Sequence, residues 1–152
     1  MKKVLIVEDD EFKANSLKDF IIQRPEFDDV QIVSSLVEAV DVIQENSYAL
    51  ILVDMAIPSH PLKIGGGSPI SLLTGGIEVI LELNYLNRKD PCVIITQYPD
   101  IEISGSFYSL SEAKLQIKNQ LECYVEACVE YKEGDGSWKQ ELTKVLNENI
   151  NT

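Results

Sequence analysis

Near its N-terminus the sequence runs Val4-Leu5-Ile6-Val7-Glu8-Asp9-Asp10, four apolar residues followed by three acids. A second stretch has the same form and runs Leu50-Ile51-Leu52-Val53-Asp54. Short, continuous apolar runs are typical of strands that are buried on both faces of a parallel sheet. The two stretches therefore predict central strands that end in carboxylates.

Strand-like and helix-like segments alternate along the rest of the chain. Further strands are expected at residues 30–33, 93–95 and 127–131. Helices are expected over Phe12 to Ile22, from Ser35 to Gln44, over Ile77 to Leu83, and after the possible capping pairs Ser109–Glu112 and Ser137–Gln140. Such alternation predicts an α/β fold with three layers, a doubly wound (βα)5 arrangement around a five-stranded parallel sheet of order 2-1-3-4-5. Long loops are expected after the third strand and around the fourth.

Length and charge narrow the class of protein. The 152 residues predict one domain, residues 1–152, with no output domain. The formal net charge of −12 disfavours direct binding to nucleic acid. No apolar stretch reaches the roughly 20 residues of a membrane span. The odd count of three cysteines suits reduced thiols, so we expect a cytoplasmic protein that does not contact membranes.

The acids at the strand ends are the candidate site. In an open α/β sheet, ligands bind beyond the carboxyl ends of the strands, where the strand order reverses. Glu8, Asp9, Asp10 and Asp54 would converge there, and clustered carboxylates either take up protons or hold a cation. Oxygen ligands with room for water suit Mg²⁺, with Mn²⁺ as a substitute. The alternative is that these acids only cap the first helix and solvate a loop.

Two further strand ends complete a possible phosphoryl site. The fourth strand ends in Thr96, and Lys132 follows the fifth. With a cation, a hydroxyl and an ammonium nearby, Asp54 could attack phosphorus and form an acyl phosphate.

These motifs together resemble the receiver domain of two-component response regulators over essentially the whole chain. The matching stretches are Val4 to Asp10, Leu50 to Pro58, Val93 to Thr96 and Tyr131-Lys132. The resemblance implies that Asp54 is the phospho-acceptor, and that Glu8, Asp9 and the backbone carbonyl of Ala56 complete its Mg²⁺ site. It also implies that Thr96 is the switch hydroxyl and Lys132 the phosphate-pairing lysine.

The sequence departs from the family pattern at several positions. Glu133 replaces the proline after the lysine, and Val129 stands at the aromatic switch position. Gln97 replaces a small residue after Thr96, and the following Tyr98 could cover the phosphate and slow attack by water. Asp10, Gln97 and Tyr98 are therefore possible accessory residues.

The segment Pro58–Gly76 is longer than the family's loop and contains His60 and Gly65–Gly67. It could be a lid over Asp54 or a surface connector. No Walker-type Lys-Ser/Thr follows the glycines, so nucleotide binding has little support.

The leading hypothesis is a signalling module rather than an enzyme. A histidine kinase or a histidine-phosphotransfer protein would phosphorylate Asp54, and the product would contact a downstream protein or act as a phosphate sink or relay. The alternative is a receiver-like module that regulates a partner by docking without switching. A phosphatase of the haloacid-dehalogenase type would need a second acid in Asp54-Met55-Ala56, which is absent.

Overall fold

The computed structural model describes residues 2–59, 71–72 and 75–150. The strands are β1 (Lys3–Val7), β2 (Asp29–Val33), β3 (Leu50–Val53), β4 (Ile57–Pro58), β5 (Ser71–Leu72), β6 (Cys92–Thr96), β7 (Asp100–Ile103), β8 (Ser106–Ser109) and β9 (Ala127–Glu130). The helices are α1 (Glu11–Ile22), α2 (Leu36–Glu45), α3 (Gly75–Tyr85), α4 (Leu110–Leu121) and α5 (Ser137–Val145), which continues as a π-helical turn over Leu146–Ile150. Among these helices, none combines the length and the apolar character that a membrane span requires.

The central sheet of the described residues has five parallel strands in the order β2-β1-β3-β6-β9. Because β6 and β9 are the fourth and fifth strands of this sheet along the chain, the predicted order 2-1-3-4-5 is confirmed. Val7 of β1 pairs with Val53 of β3, and Val53 is in turn level with Ile94 of β6. The carboxyl ends of the three strands therefore lie together.

Each sheet face is covered by a separate apolar layer, because successive side chains of a strand point to opposite faces. Val4 and Ile6 pack with α1 and α5 in one cluster. Leu5 and Val7 pack with α2, α3 and α4 in the other. Both faces are thus apolar, which explains why the central strands are continuous apolar runs.

The segments expected as long loops contain additional strands. After β6, the strands β7 and β8 form an antiparallel hairpin, with Ser104 and Gly105 at its turn. Both turn residues have positive φ, 53° and 85°, as a two-residue hairpin turn of type I′ requires. After β3, β4 pairs with β5. The lid proposed for the segment Pro58–Gly76, with His60 and Gly65–Gly67, falls largely outside the described residues.

The helix caps differ in part from the capping pairs in the sequence. Ser35 caps α2 through a hydrogen bond from the N–H of Glu38, as expected. Ser109 precedes α4 but makes no capping hydrogen bond with its side chain. Ser137 is the first residue of α5, and its N–H donates instead to the carboxylate of Asp135.

An ionic network ties α2 and α3 to the start of β3, at the end of the sheet away from the acids. Arg88 pairs with Asp90 at 2.7 Å and also donates to the carbonyls of Ile43 and Asn46. Asp90 accepts a further hydrogen bond from the N–H of Tyr48. Burial raises the pKa of Asp90, but the hydrogen bonds from Arg88 and Tyr48 and the Arg88 charge outweigh it, so this pKa lies below its usual value.

Substitution of Asp90 by Asn should therefore destabilise the protein in a pH-dependent way. Because the pKa of Asp90 is lowered on folding, its contribution is present above the ordinary carboxyl pKa and is lost as the pH falls through the lowered value. We expect a loss of about 1–2 kcal/mol in the free energy of unfolding at neutral pH, shrinking in acid. Urea denaturation at neutral pH and at acidic pH measures this loss. Asp41→Asn, at an exposed position on α2, is the control, and an equal loss in both variants would contradict the assignment.

Candidate functional site

Backbone hydrogen bonds connect the end of β1 to both neighbouring strands at the point where the acids begin. The N–H of Asp54 donates to the carbonyl of Val7 at 3.1 Å, and the N–H of Glu8 donates to the carbonyl of Val33 at 3.0 Å. Glu8 and Asp54 thus leave adjacent strands at the same level. Their placement follows directly from the parallel pairing of β1 with β3.

Three carboxylates meet at this edge of the sheet. Glu8, Asp9 and Asp54 each offer an oxygen within 4.8 Å of the others, with Glu8 and Asp54 buried and Asp9 exposed. Oδ1 of Asp54 accepts from the N–H of Met55 at 2.8 Å, and Oε2 of Glu8 accepts from the N–H of Asp10 at 3.1 Å. Each buried acid therefore keeps a second oxygen for another partner.

That partner is Lys13, the third residue of α1. Its Nζ lies 2.6 Å from Oε1 of Glu8 and 3.4 Å from Oδ2 of Asp54. The same ammonium donates to the carbonyl of Ile95 at 2.8 Å and to Oε1 of Gln97 at 3.0 Å. The Lys13 side chain is only 1% exposed, so a buried cation joins the ends of three strands.

An aromatic pair lies beside this ammonium. The ring centroid of Tyr131 is 5.5 Å from Nζ of Lys13, within the range of a cation–π interaction. Tyr131 packs in turn on Trp138 at 5.3 Å between centroids. The residue after β9 therefore contributes an aromatic face to the site.

Burial and the neighbouring charges act most clearly on the pKa of Glu8. Burial raises its pKa to about 8; the nearby charge of Asp54 adds to this rise, and the ammonium of Lys13 opposes it. The contact between Lys13 and Oε1 of Glu8 is ionic, since this buried oxygen accepts no hydrogen bond of regular geometry from the described residues. Three carboxylates share this edge of the sheet with one ammonium, which fits a site that can also hold a divalent cation.

Comparison with known proteins identifies the family. No family model matches the chain. The chain is 34% identical over 146 residues to the Detocs response regulatory protein DtcB of Vibrio alginolyticus, which covers 94% of this chain and 98% of that protein. This chain belongs to the response regulator family.

Solved receiver structures share the fold of this response regulator. The Mn²⁺-bound form of the response regulator Rcp1 superimposes with a TM-score of 0.66 at 15% identity, covering 100% of this chain and 96% of that one. The receiver domain of the sensor histidine kinase PA1611 from Pseudomonas aeruginosa PAO1, with magnesium in its active-site cleft, gives a TM-score of 0.59 at 15% identity, covering 99% and 98%. The receiver fold predicted from the sequence is therefore confirmed.

The receiver architecture brings most of the predicted site residues to one edge of the sheet. Glu8, Asp9 and Asp54 form the acidic cluster, and Thr96 is fully buried at the end of the neighbouring strand β6. Ala56 lies two residues after Asp54, just before β4. The roles of these residues remain predictions.

The accessory residues have separate positions around the cluster. Asp10 caps α1 by accepting from the N–H groups of Phe12 and Lys13. Gln97 accepts from the ammonium of Lys13 at 3.0 Å. Tyr98 is partly exposed, and its N–H donates to Oγ1 of Thr96 at 3.3 Å.

Lys132 takes no part in the ion pairs that Lys13 makes with the described acids. It is exposed, and its backbone forms an isolated β-bridge with that of Asp135 in the turn before α5. Within the described part of the chain, it makes no ion pair with a carboxylate. Sequence reasoning missed Lys13, although Lys13, Leu17 and Ile21 share the buried face of α1 at helical spacing.

The loop after Asp54 is packed tightly against the start of α3. The N–H of Gly76 donates to the carbonyl of Met55 at 3.0 Å. A Cβ at Gly76 would lie 2.6 Å from the backbone oxygen of Asp54 and 3.0 Å from Cα of Met55. The absence of a side chain at Gly76 thus allows α3 to hold the segment that carries Asp54.

We expect Gly76→Ala to cost about 1–3 kcal/mol in the free energy of unfolding, because backbone atoms would have to move. Chemical denaturation measures the loss. Gly136→Ala is the control, since a Cβ at Gly136 meets nothing within 4 Å. Equal stability of the two variants would show that the close approach at Gly76 is unimportant.

Proposed function

We propose that this protein accepts a phosphoryl group on Asp54 from a histidine kinase or a histidine-phosphotransfer protein. The observation that carries the proposal is the placement of Asp54: buried at the end of β3, with Glu8, Asp9 and an ammonium at the same edge of the sheet. The similarity to the Detocs response regulatory protein DtcB, over 94% of this chain, supports a regulatory role. Such a protein would act in the cytoplasm.

In the transfer, an oxygen of Asp54 forms a bond to phosphorus while the bond from phosphorus to the donor imidazole nitrogen breaks. The imidazole leaves with the electron pair and takes a proton from solvent. Glu8, Asp9, Asp54 and the carbonyl of Ala56 would hold Mg²⁺, or Mn²⁺ in its place, which when bound supplies positive charge to the phosphoryl oxygens. The hydroxyl of Thr96 would donate to one of these oxygens.

Phosphorylation would change the charge of the site and so its contacts with partners. The phosphoryl group brings roughly −1.5 to −2 of charge but replaces the carboxylate charge of Asp54, so the site becomes more negative by roughly 0.5 to 1 charge beside β6 and the β7–β8 hairpin that follows it. The hairpin exposes Phe107, with 69% of its surface accessible. The phosphorylated protein would contact a downstream protein there, or would store or relay the phosphoryl group.

Incubation of the protein with Mg²⁺ and acetyl phosphate should add the mass of one phosphoryl group. The Asp54→Asn variant should gain none, because the amide lacks the carboxylate oxygen that would attack phosphorus. Intact-protein mass spectrometry measures the adduct, with Asp100→Asn in the hairpin as the control that keeps it. A persistent adduct in Asp54→Asn would locate the acceptor elsewhere.

Mg²⁺ should also raise the melting temperature of the protein. A ligand present at 100 times its Kd stabilises the folded state by about 2.7 kcal/mol, and Asp9→Ala should abolish most of this gain. Differential scanning fluorimetry with and without Mg²⁺ tests it. The exposed α1 variant Asp19→Ala serves as the control and should respond like the wild type.

A docking module without phosphoryl transfer is the second candidate. It is favoured by one observation: Lys13 pairs with both Glu8 and Asp54, so the two buried acids already have a cationic partner within the protein. No adduct from acetyl phosphate or from a purified histidine kinase, together with partner binding that Asp54→Asn leaves unchanged, would select this function over phosphoryl transfer.

A further inference from the structure

We propose that Lys13, on the first helix, is the ammonium that pairs with the phosphoryl group on Asp54, in place of the lysine after the last strand. This inference rests on the proposed function. It identifies a residue for which the sequence motifs gave no indication. The positive charge beside the phosphoryl group would then come from the N-terminal helix α1 and not from the lysine after β9.

The position of the ammonium is the first support. Nζ of Lys13 lies 3.4 Å from Oδ2 of Asp54. This oxygen accepts no hydrogen bond from Met55, which donates to Oδ1 instead. A phosphoryl group added to Asp54 would therefore place its negative oxygens near a cation that is already in the site.

The anchoring of the ammonium is the second support. Two of its protons are directed to the Ile95 carbonyl and to Oε1 of Gln97, at the end of β6. The carboxylates of Glu8 and Asp54 also lie against this ammonium, 2.6 Å and 3.4 Å from Nζ. Because a buried side chain with fixed partners needs little reorganisation, it is suited to stabilise charge that develops during the reaction.

The residues after β9 are arranged to support Lys13 from α1. Tyr131, not Lys132, turns into the apolar layer that contains Trp138, and its ring faces Nζ of Lys13. Lys132 is exposed, and its backbone carbonyl accepts from the N–H of Asp135 at 3.2 Å in the following turn. The last strand thus contributes the aromatic wall of the site while α1 contributes the charge.

The decisive experiment compares three lysine variants, Lys13→Met, Lys132→Met and the exposed α1 control Lys18→Met. Trifluoroberyllate, with Mg²⁺ present, is the probe for the phosphoryl-bound state. Its binding can be followed through the fluorescence of Trp138, the single tryptophan of the chain. The rate of phosphorylation by acetyl phosphate is measured by mass spectrometry in parallel.

Lys13→Met should weaken trifluoroberyllate binding and slow phosphorylation about 10-fold to 100-fold, as expected for the loss of a charged partner of the transferred group. Lys132→Met and Lys18→Met should stay within about twofold of the wild type, a free-energy difference below RT. Lys13→Arg should recover part of the loss, because it restores the charge in a different shape.

A readout of Mg²⁺ binding separates this role from a purely structural one. Lys13 repels a divalent cation near Glu8 and Asp54, so Lys13→Met should bind Mg²⁺ as tightly as the wild type or more tightly while trifluoroberyllate binding falls. Isothermal titration calorimetry measures the Mg²⁺ affinity. A parallel loss of both affinities would make Lys13 a structural residue and overturn the inference.

The Lys132→Met arm decides the question even if Lys13→Met does not fold, because position 132 is on the surface. A loss of 10-fold or more in Lys132→Met would assign the pairing role to Lys132 and overturn the inference, whereas an unchanged rate supports it. Failure of the proposed function has a different signature, since the wild-type protein itself would then show no adduct and no response to trifluoroberyllate.

Discussion

The arrangement of the site depends on the ion pairs that the buried ammonium of Lys13 makes with Glu8 and Asp54. The ammonium contacts Glu8 just after β1, Asp54 just after β3 and two acceptors at the end of β6. Without it, two buried carboxylates would face each other in a medium of low dielectric constant, where unpaired charge is costly. The cation therefore allows acids to be concentrated at the end of an otherwise apolar sheet.

Even with Lys13 present, the environment disfavours the charged form of Glu8. Burial raises the pKa of Glu8 to about 8 despite the nearby ammonium, so the site retains a need for positive charge that a divalent ion can meet. The phosphoryl transfer proposed above would need this site to hold a metal ion and a phosphoryl group. Lys13 supplies one cation from within the protein, and its hydrogen bonds to Ile95 and Gln97 hold it at the end of β6.

The sequence alone supported the fold and the acidic part of the site. Continuous apolar runs such as Val4 to Val7 indicate strands buried on both faces, and the acids after them fall at the carboxyl edge in any parallel sheet of this order. Lys13 escaped notice because lysine is expected in solvent, while Phe12 and Ile22, included in the apolar pattern of the helix, are 59% and 60% exposed. The hairpin of β7 and β8 was expected as a loop, although Ser104-Gly105 stands at its turn.

Local patterning thus determined which segments become strands and helices, and it placed Glu8, Asp9 and Asp54 at strand ends, because hydrophobic periodicity and turn residues act over a few positions. Tertiary structure alone decided which ammonium reaches Asp54. Lys13 and Asp54 are far apart in sequence and meet only when α1 packs on the sheet. Lys132, the lysine that the family resemblance indicates, is exposed, and its neighbour Tyr131 takes the inward position against Trp138.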